Sequence, residues 1–468
     1  MESSLVCRGK RLKLCHNKPI CRQRMAQTQF LDLPEDVLSM ILSKLPPKEA
    51  VRTSVLSSKW KHMWTVCPKL RFDGATMCSE AVSGTREYTQ KFVDNVSSVL
   101  KQYHGKLVEE LEVKFEFDNT LAEHLDDWVN FALSSRAKNL ALDLLPPKFG
   151  HRPDRYRFPF ELFNGDSKVR LQRMQLSFIS FNLPSQFSGF PNLKKLDLHV
   201  LRVTCKDLQD LLSNCFNLEC LSIVRCPLDD ELQVVCPLPR LLYLHVAHCG
   251  IRKIEFNAMN LQTFVYSGQW LPIHLGHGLK LKDARLYFIE MITLECPLTT
   301  LPNLLPRVQN LTLRSYMSLE MPWLLRNSSK FSQLKYLQLR IFVQSEDLNN
   351  ILSLASFLSA APFLEKLEIH FTICASPHCS ELTKTLPRCT HSYLKDLYIT
   401  GFAGCTGQVE FLVYIVENAP NLELLTLDRA DYFGDDEDYE RRTRFNALDI
   451  AKRHLDGRIS ENTKFFIA

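Results

Sequence analysis

Residues 214–226 read NCFNLECLSIVRC, and in them Leu218, Leu221 and Ile223 set out the pattern apolar, two residues, apolar, one residue, apolar. Leu221 and Ile223 stand two apart, the spacing that puts side chains on one face of a β-strand and leaves Ser222 on the other. Ahead of them, Leu208–Leu212 is a helix-like run and 214–217 is a turn. Helix, turn and strand make one unit, too small to bury its own apolar side unless a neighbour stacks on it. The same turn precedes the same anchor at 360–365 (AAPFLE) and 418–423 (NAPNLE), behind the helix-like runs Ile351–Leu358 and Val409–Val416.

Outward from this unit the triad recurs along most of the chain. Clear copies stand at Leu193/Leu196/Leu198, Leu241/Leu244/Val246, Leu261/Phe264/Tyr266, Leu334/Leu337/Leu339, Leu364/Leu367/Ile369, Leu394/Leu397/Ile399 and Leu422/Leu425/Leu427. Weaker ones fit at Val108/Leu111/Val113, Ala137/Leu140/Leu142, Leu171/Met174/Leu176, Leu281/Ala284/Leu286 and Val308/Leu311/Leu313. First anchors are 20 residues apart at the closest (Leu241 to Leu261) and 34 at the widest (Ala137 to Leu171). Most steps fall in the period of leucine-rich repeats, roughly 20–29 residues. The fold class expected is therefore α/β: an irregular leucine-rich-repeat solenoid with a parallel sheet on its concave face and helices on its convex face. Cys226 and Cys249 follow their strands by three residues. In this repeat that is an inward Asn or Cys position, so both thiols are read as core fillers.

Composition narrows the class. With 45% hydrophobic residues and a mean hydropathy of −0.12, the chain reads as soluble and rich enough in apolar material for a large core. No apolar run reaches the roughly 18 residues of a membrane span, so no membrane partner is expected. The net charge of +5 resides in residues 1–28, where seven Lys/Arg face Glu2 alone, leaving −1 for the remainder. A near-neutral body gives no footprint for nucleic acid. The basic leader 1–28 is read as a disordered or alternatively initiated extension, with Met25 as a second start; a nuclear address is the alternative. Sixteen cysteines in so long a chain are expected as reduced, buried thiols, which favours nucleus or cytoplasm.

At 30–64 the wording changes to FLDLPEDVLSMILSKLPPKEAVRTSVLSSKWKHMW. Leu38, Leu42 and Leu45 fall at i, i+4 and i+7, with Val37 and Ile41 one residue around, which predicts an amphipathic helix opening near Pro34. Pro46-Pro47 ends it. A second helix is expected from Lys48 and a third after Ser57-Ser58, with Trp60 and Trp64 on one face. So small a module is marginal alone and should offer an apolar face to a partner, or cap the repeats. The stretch resembles the plant F-box: Leu33-Pro34-Glu35-Asp36, Ile41-Leu42, Leu45-Pro46, Ala50-Val51, Ser54-Val55-Leu56 and Ser57-Ser58-Lys59-Trp60 stand where that family has them. The resemblance implies docking onto a Skp-family adaptor, and through it onto a cullin-based ubiquitin ligase. The adaptor-binding residues it implies are Leu33, Pro34, Val37, Leu38, Ile41, Leu42, Leu45, Pro46, Val51, Leu56 and Trp60. Leu394–Leu427 looks like the FBD segment that follows the repeats in many plant F-box proteins.

The organisation expected is a leader (1–28), an F-box (29–75), leucine-rich repeats (105–393), an FBD-like continuation (394–430) and a C-terminal cap (431–468). Chemistry is not expected. The chain carries no HExxH, GxSxG, P-loop or CxxC pair, and Gly401, Gly404 and Gly407 read as a strand-to-helix turn. The implied role is a non-catalytic substrate receptor with no cofactor and no metal, holding an unidentified target protein on its repeat arc. The alternative is a repeat scaffold or small-molecule receptor outside any ligase. In the four clear C-terminal strands the residue between the last two anchors points outward: Gln338, Glu368, Tyr398 and Thr426. This ladder is the expected target-binding surface.

Overall fold

The computed structural model describes residues 33–42, 44–45, 49–50, 53, 63–78, 85–105, 107–146, 154–163, 170–184, 187, 189–228, 231–276, 280–320, 330–373, 382, 386–428, 447 and 449–467. Fifteen strands, all parallel, follow one another across a single sheet. It opens with β1 (Lys69–Asp73), β2 (Glu110–Lys114), β3 (Asn139–Asp143), β5 (Arg173–Ser177), β7 (Lys195–His199) and β8 (Cys220–Val224). It continues through β10 (Tyr243–Ala247), β12 (Thr263–Gly268), β14 (Asp283–Thr293), β15 (Asn310–Ser318) and β16 (Tyr336–Val343). It closes with β17 (Lys366–Ile373), β18 (Asp396–Thr400), β19 (Leu424–Asp428) and β20 (Lys464–Ile467). Sequence order is spatial order, as stacked repeats require.

Register follows the triads. Leu196, Leu221 and Leu244 are paired in line, as are Leu339, Ile369, Ile399 and Leu427. Every anchor of every triad is buried, and one hydrophobic cluster runs from Leu70 to Leu455. Cys226 and Cys249 lie in it as expected, their thiols turned to backbone carbonyls (Cys226 Sγ to Val224 O, 3.4 Å; Cys249 Sγ to Ile223 O, 3.4 Å). Burial pushes the Cys226 thiol up to about 12 and that of Cys249 to about 11, so neither is a nucleophile.

The convex layer departs from the expected row of helices. Helices stand where the step between repeats is long: α3 (Arg86–Lys101), α4 (Ala122–Ser134), α5 (Cys205–Leu212), α6 (Glu295–Leu304), the 3-10 segment Ser345–Leu354 running into α7 (Ala355–Ala360), and α8 (Thr406–Asn418). A further short helix, α2, spans Gly74–Met77. Between Leu218 and Leu281 the steps shorten to 23, 20 and 20 residues. There the return path is a three-stranded parallel sheet, β9 (Glu231–Val234), β11 (Lys253–Phe256) and β13 (Ile273–His274). Once the inner strand and two turns are formed, so few residues remain that only an extended strand reaches back to the next repeat. A two-stranded pair, β4 (Tyr156–Arg157) with β6 (Ile179–Ser180), stands earlier, and there β4 lies within the widest step, so step length does not account for it.

The expected strand-to-helix turn is present at 401–405, while Gly407 already lies in the first turn of α8. Gly401 has φ +66, and a Cβ there would meet the Phe371 carbonyl at 2.0 Å. The far end of the stack is covered. At the far end Ala447, Ala451 and Leu455 are buried over the last repeat, and Thr463 Oγ1 donates to Leu422 O at 2.6 Å. At the near end β1 already belongs to the sheet and to its core through Leu70 and Phe72, so the array begins inside the span assigned to the F-box. The N-terminal module has its own small core of Leu38, Leu42, Ala50 and Cys67. It carries α1 (Glu35–Leu42) and a 3-10 turn, Met63–Val66; most of the expected second and third helices falls outside the described residues.

Candidate functional site

Two surfaces come forward, one at each level of the fold. On α1 the apolar stripe is wide, and the structure divides it. Leu38 and Leu42 are fully buried in the module's own core, with Leu33 and Trp64 packed against them. Both were expected on the adaptor face; in the structure, a module with so little interior uses its two best-aligned leucines to hold itself together. Val37 and Ile41 lie half-buried one position around the helix, Pro34 is exposed, and Leu45 is 39% exposed. Met40, which the sequence reading passed over, is 64% exposed on the flank of that face. Pro46, Val51, Leu56 and Trp60 lie outside the described residues.

The second surface is the concave sheet. Gln338, Glu368, Tyr398 and Thr426 stand directly opposite one another across β16 to β19. They are not idle side chains. Gln338 Nε2 donates to Glu368 Oε2 at 2.9 Å, the Tyr336 hydroxyl donates to the same oxygen at 2.5 Å, and Lys366 Nζ lies 3.0 Å from Oε1. Tyr398 OH donates to Asp428 Oδ2 at 3.0 Å. All four are half-buried, and at least three of them bond along the sheet. Strands roughly 4.8 Å apart put in-register polar groups within reach of each other.

Electrostatics agree with that linkage. Burial opposes ionisation of Glu368, but the bonds from Tyr336, Lys366 and Gln338 outweigh it and hold the carboxyl below the usual range. His370 is moved down, first by burial and then by the Arg340 guanidinium. It is thus neutral near pH 7, so its 3.9 Å approach to Glu368 is no ion pair. Its Nε2 accepts from Gln338 (3.2 Å) and its Nδ1 donates to Thr400 Oγ1 (2.9 Å).

Beside this polar ladder lies an apolar one. β14, β15 and β16 have 11, 9 and 8 residues, whereas most other strands of the sheet have five. The extensions put Met291, Tyr316 and Phe342 in register. Tyr316 stacks on Phe342 with ring centroids 4.5 Å apart, and the Arg314 guanidinium lies 5.4 Å above the Phe342 ring. Tyr316 is 42% and Met291 58% exposed. The sequence reading missed them because it stopped at the third anchor. The signal was present in Ser315, Met317, Ile341 and Val343, which continue the inward alternation.

Among the described residues no group of three His, Cys, Asp or Glu could hold a metal ion, and no helix is long and apolar enough to cross a membrane. His274 sits in β13, away from both surfaces; His277 is outside the described residues.

A helical module carrying its own small core, set before a stack of parallel-strand repeats with an embellished concave face, defines a repeat-based binding protein with an N-terminal docking module. Residues 99–457 match the family described as At1g61320/AtMIF1, LRR domain, and residues 30–72 match the F-box domain. The first match covers more than half of the chain, which belongs to that leucine-rich-repeat family and carries an F-box at its N-terminus. Among relatives, the chain is similar to F-box/FBD/LRR-repeat protein At3g14710 of Arabidopsis thaliana, 28% identical over 89% of this chain and 90% of that one. It is 25% identical to F-box/FBD/LRR-repeat protein At2g04230 of the same organism, over 89% of this chain and 93% of that one. Against two others, one of them F-box/FBD/LRR-repeat protein At1g13570 (30% identical), the match spans only about half of the relative, 55% and 48%. The chain is thus a plant-type F-box/LRR protein with FBD-like features.

Proposed function

We propose that this chain is the substrate-recognition subunit of an SCF-type ubiquitin ligase. Its F-box engages a Skp-family adaptor and through it a cullin, and its concave face holds a target protein for ubiquitination. The observation that carries the reading is the division of α1: an inward pair closes the module, and Pro34, Val37, Ile41 and Leu45 are left half-buried or exposed on a module that precedes the repeat sheet in the chain. The chain contributes no chemistry of its own in this reading. Its described cysteines are free thiols, several of them buried, which supports a reducing compartment, the nucleus or cytoplasm.

The test is co-purification of the full chain with a Skp-type adaptor, comparing it with Val37→Glu/Ile41→Glu. Interfaces of this kind concentrate energy in a few apolar anchors worth about 2 kcal/mol or more each. The double variant should lose the adaptor while the repeat array keeps its unfolding transition. Unchanged adaptor affinity would leave the repeat scaffold outside any ligase as the better reading.

A further inference from the structure

A third surface lies on the rim where the strands begin. Backbone bonds tie this rim into a row: Lys138 N to Glu109 O (3.2 Å), Gln172 N to Lys138 O (2.7 Å), Lys194 N to Gln172 O (2.7 Å) and Glu219 N to Lys194 O (2.8 Å). Along it runs an open groove of about 720 Å³. Arg136, Lys138, Arg170, Lys194 and Arg240 line it, against Glu109 as the one acid in the lining. All five cations are exposed, and none lies within ion-pair distance of a carboxylate among the described residues.

Elsewhere on the same rim, cations are found paired across neighbouring strands. Farther along, Lys335 is paired with Glu365 at 2.8 Å and Lys395 with Glu423 at 3.1 Å. In the groove the cations come without such partners, a net of four positive charges on a body that, with them counted, sums to −1 beyond residue 28. Like charges gathered on one concave edge repel one another until an anion arrives. Three of the five are arginines, whose planar fork fits carboxylate and phosphate oxygens. Gln172, Asn192 and Asn217 add side-chain amides to the lining.

One end of the groove is different. Pro68, Leu107 and Val108 line it, and Leu107 is 56% exposed. No aromatic ring lines the groove, so it has nothing on which a nucleobase could stack. From β2 to β10 there are five strand spacings, roughly 24 Å, the reach of about seven extended residues. We infer that this groove binds an extended polypeptide segment of a partner protein, aliphatic at one end and acidic or phosphorylated over the following residues. The site is separate from the F-box face and from the concave ladders, and it does not depend on the ligase reading.

The test is fluorescence anisotropy on the full chain with labelled decapeptides. One begins with two aliphatic residues and continues in Asp and Glu; a second carries phosphoserines in place of the acids. A third has Asn and Gln there, and an oligothymidine of equal charge completes the set. The acidic or the phosphorylated peptide should bind, more tightly as salt is lowered, and the neutral one should not. Lys138→Glu/Lys194→Glu/Arg240→Glu should raise Kd at least about tenfold, because rim charges set attraction without supporting the core. Lys335→Glu/Lys395→Glu, on the same rim, should leave Kd unchanged. Binding of neither anionic peptide, equal affinity for the oligothymidine, or an unaffected triple variant with an unchanged melting curve would each overturn the inference.

Discussion

His391 shows how a single buried side chain makes this fold sensitive to acid. It is 6% exposed, its backbone N–H donates to Asn418 O at 2.8 Å, and its Nε2 lies 3.2 Å from the Tyr414 hydroxyl. Burial pushes its pKa down to about 4. Between about 6.5 and 4 the unfolded chain takes up a proton that the folded chain refuses, so stability is full above this window and is lost as pH falls through it. Burial lowers His199, His245 and His370 as well, and they act in the same direction. Urea unfolding should therefore weaken steadily from pH 6.5 to 4, and His391→Gln should flatten that limb by up to about 3 kcal/mol. A limb unchanged by the substitution would show that His391 is not the group responsible. Gly407 makes a second residue-scale case. In a helix Gly→Ala normally stabilises by about 1 kcal/mol. Here the added Cβ would meet the Leu348 carbonyl at 2.1 Å, and overpacking of that kind costs about 1–3 kcal/mol. Gly407→Ala is expected to lower the melting temperature; a rise would mean that α8 and the 3-10 segment have room between them.

Among the elements, β14, β15 and β16 carry the least expected feature. Their added length leaves Met291, Tyr316 and Phe342 as a short apolar ladder next to the polar one of Gln338, Glu368 and Tyr398. Aromatic residues with an arginine beside them are the usual makings of an interaction hot spot. Tyr316→Ala/Phe342→Ala removes rings that face solvent, so the cost to stability should stay below about 1 kcal/mol. Proteins captured by proximity labelling should nevertheless disappear with this variant, and with Gln338→Ala/Glu368→Ala/Tyr398→Ala, while deletion of residues 1–28 leaves them in place. Loss on removing the leader, with both concave variants unaffected, would move the target surface away from the sheet.

For the whole molecule, the single cluster from Leu70 to Leu455 means that no repeat holds its fold alone. Leu221, fully buried in β8, is in register with Leu196 on one side and Leu244 on the other. Leu221→Asp puts an unpaired carboxylate into that continuous interior, at a cost of several kcal/mol. Hydrogen exchange should then lose protection outward from β8 in both directions. Loss confined to residues 220–224 would argue for separately stable halves.

The triads are legible in the sequence because burial along a strand is a local code: alternate residues face one way, and the period repeats. That alone was enough for the parallel sheet, the inward thiols of Cys226 and Cys249, the turn at Gly401 and the direction of Gln338, Glu368, Tyr398 and Thr426. Step length also carries the convex strands β9, β11 and β13, since steps of 20 to 23 residues leave little room for a helix. Other features depend on which distant surfaces meet. Whether Leu38 or Val37 faces inward cannot be read from a stripe wide enough for both, and it is decided by where Ala50 and Cys67 close the module. The bonds that occupy Glu368 come from neighbouring strands about 30 residues away, and the cations of the rim groove are drawn from residues 136 to 240. Periodicity determines what each repeat buries; only stacking decides which exposed groups become neighbours, because that adjacency is set by the strand spacing between repeats and not by distance along the chain.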